Sequence, residues 1–163
     1  MNLGLSSELK IAFPDIIPVH RPSVLDYKIK DPNWLAGFTS AEGCFFINIY
    51  KSKTKVGVTV NLIFQLSQHA RDELLLRSLI EYFGCGNLFK KRETFELVFA
   101  KFADIDNKII PFFAKYPIAG VKFLDFQDFC KVANIMKEKG HLNIEGLNLI
   151  RKLKEGMNTG RIS

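Results

Sequence analysis

Residues 34–43 read Trp-Leu-Ala-Gly-Phe-Thr-Ser-Ala-Glu-Gly. Ala36, Gly37, Ser40 and Ala41 set small side chains three and four positions apart, the spacing that gathers residues on one side of a helix. Two copies of such a helix can approach until their backbones nearly touch, so Trp34, Ala36, Gly37, Ser40 and Ala41 are the expected residues of a contact between copies. Glu42 ends the segment. A carboxylate there opposes the helix dipole, which a solvated glutamate tolerates at small cost but which a nearby cation would offset. Two packed copies would set two Glu42 carboxylates side by side, where oxygen ligands can hold hard divalent cations.

The flanking signals define a helix that ends in a hairpin. Asp31 suits the N-cap, Pro32 the first helical position, and Trp34, Leu35 and Phe38 form an apolar stripe that should stop near Gly43. Residues 44–51 and 56–68 are rich in aromatic and β-branched side chains around a Lys/Ser/Thr turn, and predict two strands. A helix over 71–83 stops at Gly84-Cys85-Gly86, and a second hairpin follows over 87–91 and 94–100. Helical stretches are expected at 102–114, 123–139 and 143–156. The order is αββαββα with trailing helices: an α+β fold in which helices cover one face of a four-stranded antiparallel sheet. Residues 1–30, with a short helical patch from Ser6 to Ala12, read as an arm, and 31–163 as one domain.

Of 163 residues, 47% are hydrophobic and 15 are Phe, enough for one substantial core. A net charge of +6 admits a polyanionic partner without demanding one. Cys44, Cys85 and Cys130 are odd in number and form no CxxC pair, which argues against a zinc cluster or disulfide framework and for an intracellular, reducing setting. His20, His69 and His141 are scattered and read as surface or capping residues. Apolar runs are short, so no membrane span and no secretory signal is expected.

Strand parity separates an apolar set (Phe45, Ile47, Ile49, Val58, Val60, Leu62, Phe64, Phe95, Leu97, Phe99) from an opposite set. The latter comprises Cys44, Phe46, Asn48, Tyr50, Ser52, Thr59, Asn61, Ile63, Gln65, Ser67, Asn87, Phe89, Lys91, Thr94, Glu96 and Val98. That face could be merely solvated. It could also follow a DNA groove, since a strand advances ~3.3 Å per residue and a DNA strand ~3.4 Å per nucleotide. Lys53 and Lys55, in the first hairpin turn, would then meet phosphates.

A LAGF tetrapeptide, small or polar residues, and a Glu-Gly pair running into a hairpin together resemble the LAGLIDADG motif of homing endonucleases. The resemblance covers about residues 31–160, includes Phe64-Gln65-Leu66-Ser67-Gln68, Gly84-Cys85-Gly86 and Pro117 to Lys122, and is nearest to the second half of two-motif members. It implies a saddle-shaped sheet facing double-stranded DNA and metal-dependent phosphodiester hydrolysis with Mg²⁺, for which Ca²⁺ can substitute in binding without turnover. It assigns metal ligation to Glu42 and the backbone carbonyl of Ala41, and catalytic roles to Glu42, Gln68 and Lys122. An organellar, mitochondrial intron-encoded parent is also implied.

One departure matters. Only one motif is present, and residues 4–14 resemble the linker between halves, so the chain reads as an excised or engineered carboxyl-terminal half. A complete site then requires a homodimer on a near-palindromic target. The alternatives are a DNA-binding dimer that does not cleave and an intron RNA maturase.

Overall fold

The computed structural model describes residues 5–17 and 28–161. Expectations placed on residues 1–4 and 18–27, His20 and the prolines at 18 and 22 among them, lie outside that set. Helix α1 (Ser7–Ala12) buries none of its residues, and Leu9, Ile11, Phe13, Ile16 and Ile17 along the arm are exposed.

Helix α2 (Pro32–Glu42) begins as expected: Asp31 Oδ1 accepts the Asn33 N–H at 2.8 Å, and Pro32 fills the first position, where no N–H is needed. It ends by close contact. A Cβ on Gly43 would lie 2.6 Å from Thr39 Cγ2 and 2.8 Å from the Thr39 carbonyl, so only glycine lets the chain turn this sharply into a strand.

Strands β1 (Gly43–Lys51), β2 (Val58–His69), β3 (Asn87–Lys91) and β4 (Thr94–Phe99) form one antiparallel sheet in the order β1-β2-β4-β3. The second strand starts two residues later than predicted because Gly57, at φ 73, still belongs to the turn, which Thr54 closes by accepting the Gly57 N–H. Helix α3 (Glu73–Phe83) connects the hairpins and stops at Gly84, whose φ of 62 is the left-handed conformation of a helix C-cap.

The helix expected over 102–114 is present with an irregular middle: α4 (Phe102–Asp104), a π-helical turn (Ile105–Ile109) and α5 (Ile110–Lys115) follow one another without a gap. Pro111 accounts for the widening, since it lacks an N–H and its ring would press on the carbonyl four residues earlier. Helices α6 (Val121–Lys137) and α7 (Ile144–Glu155) complete the covering layer. No helix of the described residues is long and apolar enough to cross a membrane.

The apolar strand parity meets these helices. Phe45 and Phe64 stack at 4.7 Å between ring centroids, Phe64 and Phe99 at 5.4 Å, and the edges of Phe113, Phe126 and Phe129 close on Phe45. Ile49 and Val58, at the far end of the first hairpin, are only half-buried. Because Phe64 is fully buried among aromatic neighbours, Phe64→Ala should cost about 3–5 kcal/mol, read as a lowered urea midpoint.

Candidate metal centre and nucleic-acid interface

Gly43 pairs with Leu66, so Ala41 and Glu42 project past the paired end of β1, beside the last residues of β2. Gln68 lies at that same end. It has the parity of Leu66, pairs with Phe95 and is half-buried, so it sits on the helix-covered side at the sheet margin.

The third residue arrives from α6. Lys122 Nζ donates to the Ala41 carbonyl at 2.9 Å. Its approach is set by the loop before α6: the Ala119 N–H donates to Ser40 Oγ at 2.9 Å, the Ser40 hydroxyl donates to the Ala36 carbonyl at 2.8 Å, and Ile118 is buried below. Ser40 therefore ties the α6 entrance to α2 within one chain.

The small residues of α2 divide accordingly. Ala36 is 4% exposed and faces its own core, and the Ser40 hydroxyl is engaged internally. Gly37 and Ala41 remain on the outer surface, flanked by Trp34, whose ring stacks on Phe38 at 5.2 Å. Nothing lies within 4 Å of a Cβ built on Gly37. No contact among the described residues requires glycine there.

Glu42 is exposed, and among the described residues its carboxylate has no hydrogen bond or ion pair. Carboxylate and carbonyl oxygens suit Mg²⁺ or Ca²⁺. Among the described residues no group of three His, Cys, Asp or Glu could hold an ion, so within them Glu42 and the Ala41 carbonyl are two oxygen donors and not a complete cluster. His69 is a capping residue, its Nδ1 accepting the Arg71 N–H, while partial burial of His141 holds its imidazole below the usual pKa. Burial pushes the Cys44 thiol up, against the field of Lys122 and with that of Asp125.

The opposite strand parity forms one continuous outer surface. Across β1 and β2, Cys44 faces Gln65, Phe46 faces Ile63, Asn48 faces Asn61, and Tyr50 faces Thr59. Ser67 and Phe89 flank Glu96, and Gln65 and Asn87 flank Val98. Gln65 Nε2 donates to Ser67 Oγ at 3.0 Å, and Lys91 Nζ lies 2.6 Å from Glu96 Oε2, so several polar groups are already oriented. Asn48, Tyr50, Asn87, Phe89, Lys91 and Thr94 are exposed, and the rest of the set is half-buried. Phe46 also borders a 340 Å³ hollow against Lys154, Met157 and Asn158. Lys53 and Lys55 are exposed in the turn at the end of the sheet far from Glu42, where Ser52 pairs with Thr54. The turn after Lys91 lies at the near end, opposite His69.

Three residues beside the site carry no sequence signal. Asp125 is 5% exposed and accepts from the Asn158 N–H and Arg161 Nε, both at 3.0 Å. Asn158 Nδ2 donates to the Phe45 carbonyl at 3.1 Å. These bonds join residues more than thirty positions apart, beyond any local pattern.

A family model described as LAGLIDADG endonuclease matches residues 35–133. The chain belongs to that family. A probable intron-encoded endonuclease of Neurospora crassa is 41% identical over 156 residues, covering 94% of this chain and 29% of the relative. The crystal structure of the I-SmaMI LAGLIDADG homing endonuclease bound to cleaved DNA superposes with a TM-score of 0.91 at 49% identity, over 99% of this chain and 55% of that one. I-SmaMI bound to uncleaved DNA in the presence of calcium ions gives 0.88 at 49% identity, over 96% of this chain and 54% of that one. The αββαββα fold is thus that of LAGLIDADG homing endonucleases. The chain spans under a third of the Neurospora relative and about half of I-SmaMI.

Proposed function

We propose that this chain is a site-specific endonuclease for double-stranded DNA, acting as a homodimer on a long, near-palindromic target with Mg²⁺. The observation that carries this reading is the exposed Glu42 carboxylate, without a partner among the described residues, beside the Ala41 carbonyl and Lys122 at the end of an open, polar sheet face. That I-SmaMI is bound to cleaved DNA supports double-stranded DNA as the partner. The intron-encoded Neurospora relative supports an organellar, intron-encoded parent.

Glu42 and the Ala41 carbonyl would hold the metal, with remaining donors from the second motif and DNA phosphate. When bound, the metal neutralises charge and acts as a Lewis acid at the phosphodiester. The Lys122 ammonium, resting on a neutral carbonyl, is within a side-chain rotation of that region and would stabilise charge developing on phosphate oxygen. Gln68 offers an amide donor and acceptor to order water at the sheet margin. Calcium should support DNA binding with little turnover.

Incubating the chain with supercoiled plasmid carrying a palindromic target, with and without Mg²⁺, tests the proposal: linear product that requires metal and target is expected. Specific binding without cleavage would favour the non-cleaving dimer.

The reading face makes a separable prediction. Asn48→Ala or Gln65→Ala should each relax preference at one base pair by about 1–3 kcal/mol in a half-site selection. Gln65 faces Cys44, four residues from Asn48, so the two affected base pairs should lie about four apart, with the Asn48 position farther from the cleavage point. Alanine at Lys51, Lys53 or Lys55 should instead weaken binding to every sequence and lower the salt slope by about one for each phosphate no longer neutralised.

A further inference from the structure

Lys122 stands in the first turn of α6, and Asp125 one turn later. The bond from Ala119 to Ser40 ties one side of that helix end, but Gly120 provides no side-chain cap and Val121 is 62% exposed. What holds the turn from its other side is residues 157–161. Arg161 forks across two carboxylates of α6, its Nη2 lying 2.9 Å from Asp125 and 2.7 Å from Asp128, while its Nε bonds Asp125 again at 3.0 Å. The Asn158 N–H adds a third donor to Asp125, also at 3.0 Å. On its far side the Asn158 amide reaches β1, donating to the Phe45 carbonyl at 3.1 Å and accepting from Cys44 Sγ at 3.5 Å.

These bonds run beside the Lys122 bridge: Lys122 joins α6 to the end of α2, and residues 157–161 join α6 to the start of β1. One end grips α6 a turn beyond Lys122, and the other grips β1 three residues beyond Glu42. A lysine side chain is long and free to rotate, so the position of its amine depends on where its helix turn is held. Asn158 also sits at φ 53, a conformation glycine would adopt without strain, yet an amide-bearing side chain is present.

We propose that residues 157–161 form a strap that positions Lys122 against the Ala41 carbonyl, with Asn158 and Arg161 as positioning residues acting through that lysine. The consequence for cleavage rests on the function proposed above; the effect on Lys122 does not.

Asn158→Gly is the sharpest variant, because it keeps the left-handed backbone while deleting the bridging amide. Arg161→Lys is the second, since it keeps the charge but loses the planar fork that reaches both carboxylates. In the full chain without DNA, the acetylation rate of each lysine by N-hydroxysuccinimidyl acetate is followed by peptide mass spectrometry. Each strap variant should acetylate Lys122 several-fold faster than the parent chain, with Lys53 on the distant turn unchanged. An unchanged Lys122 rate in either folded variant, folding being checked by the thermal midpoint, overturns the proposal; should Asn158→Gly not fold, Arg161→Lys decides.

Single-turnover cleavage at saturating DNA is the second measurement. The variants should cleave about 10–100-fold more slowly at unchanged Kd, the scale of a small misplacement of a catalytic group. In a Lys122→Met background the strap substitutions should cost nothing further, whereas losses that multiply would show the strap acting elsewhere and overturn it. A parent chain that does not cleave defeats the proposed function alone, and the acetylation rates then decide on the strap.

Discussion

Glu42→Gln should bind the target half-site as tightly as the parent chain and cleave it at least about a thousandfold more slowly, a loss of roughly 4 kcal/mol in transition-state stabilisation. The substitution is nearly isosteric, and the side chain is exposed with no bond among the described residues, so neither fold nor sheet surface has reason to change. What disappears is a negative charge that, with the Ala41 carbonyl, offers oxygen to a hard cation. Glutamine retains an oxygen but no charge, and should fail to hold the metal while the ion is under load from phosphate. Single-turnover cleavage in Mg²⁺ and binding in Ca²⁺ separate the two effects. Cleavage of the variant at the parent rate would remove Glu42 from the metal site, and loss of binding with cleavage would mean that Glu42 serves DNA affinity instead.

The parts of this molecule governed by short periods were legible in the sequence. Period-two recurrence of Phe45, Ile47, Val60, Leu62, Phe64, Leu97 and Phe99, with polar residues at some but not all of the positions beside them, specified the buried face, because a strand that slipped by one residue would turn all of them to water. The α2 start followed from Asp31 and Pro32, and its stop from Gly43. The inner and outer sides of α2 were less legible. At one hundred degrees per residue, Ala36, Gly37, Ser40 and Ala41 read as one stripe, but Ala36 is buried in the core and Ser40 bonds the loop carrying Ala119. Small side chains give no hydrophobic contrast by which sequence could sort them. The ion cluster of Asp125, Asp128 and Arg161 was invisible for another reason: charged residues in helices read as solvated, and only the packing of distant segments turns Asp125 inward.

Gly37 allows the opposite kind of test, one in which stability and assembly should move apart. A helical glycine costs about 1 kcal/mol relative to alanine, and here nothing among the described residues occupies the space a Cβ would fill. Gly37→Ala should therefore stabilise the isolated chain by roughly 0.5–1 kcal/mol in urea unfolding at concentrations where it is monomeric. The same methyl group should weaken self-association, because it stands on the outer surface where Gly37 and Ala41 leave room for a second helix beside the stacked Trp34 and Phe38 rings. Gly37→Leu extends the conflict: the chain should still fold, remain monomeric by light scattering even with target DNA, and lose double-strand cleavage, since a lone Glu42 brings only part of a metal site. A Gly37→Leu chain that still pairs and cuts would place the two-fold contact elsewhere. A parent chain that stays monomeric on its target at micromolar concentration would end the homodimer reading, and leave the open face of α2 for a different second half.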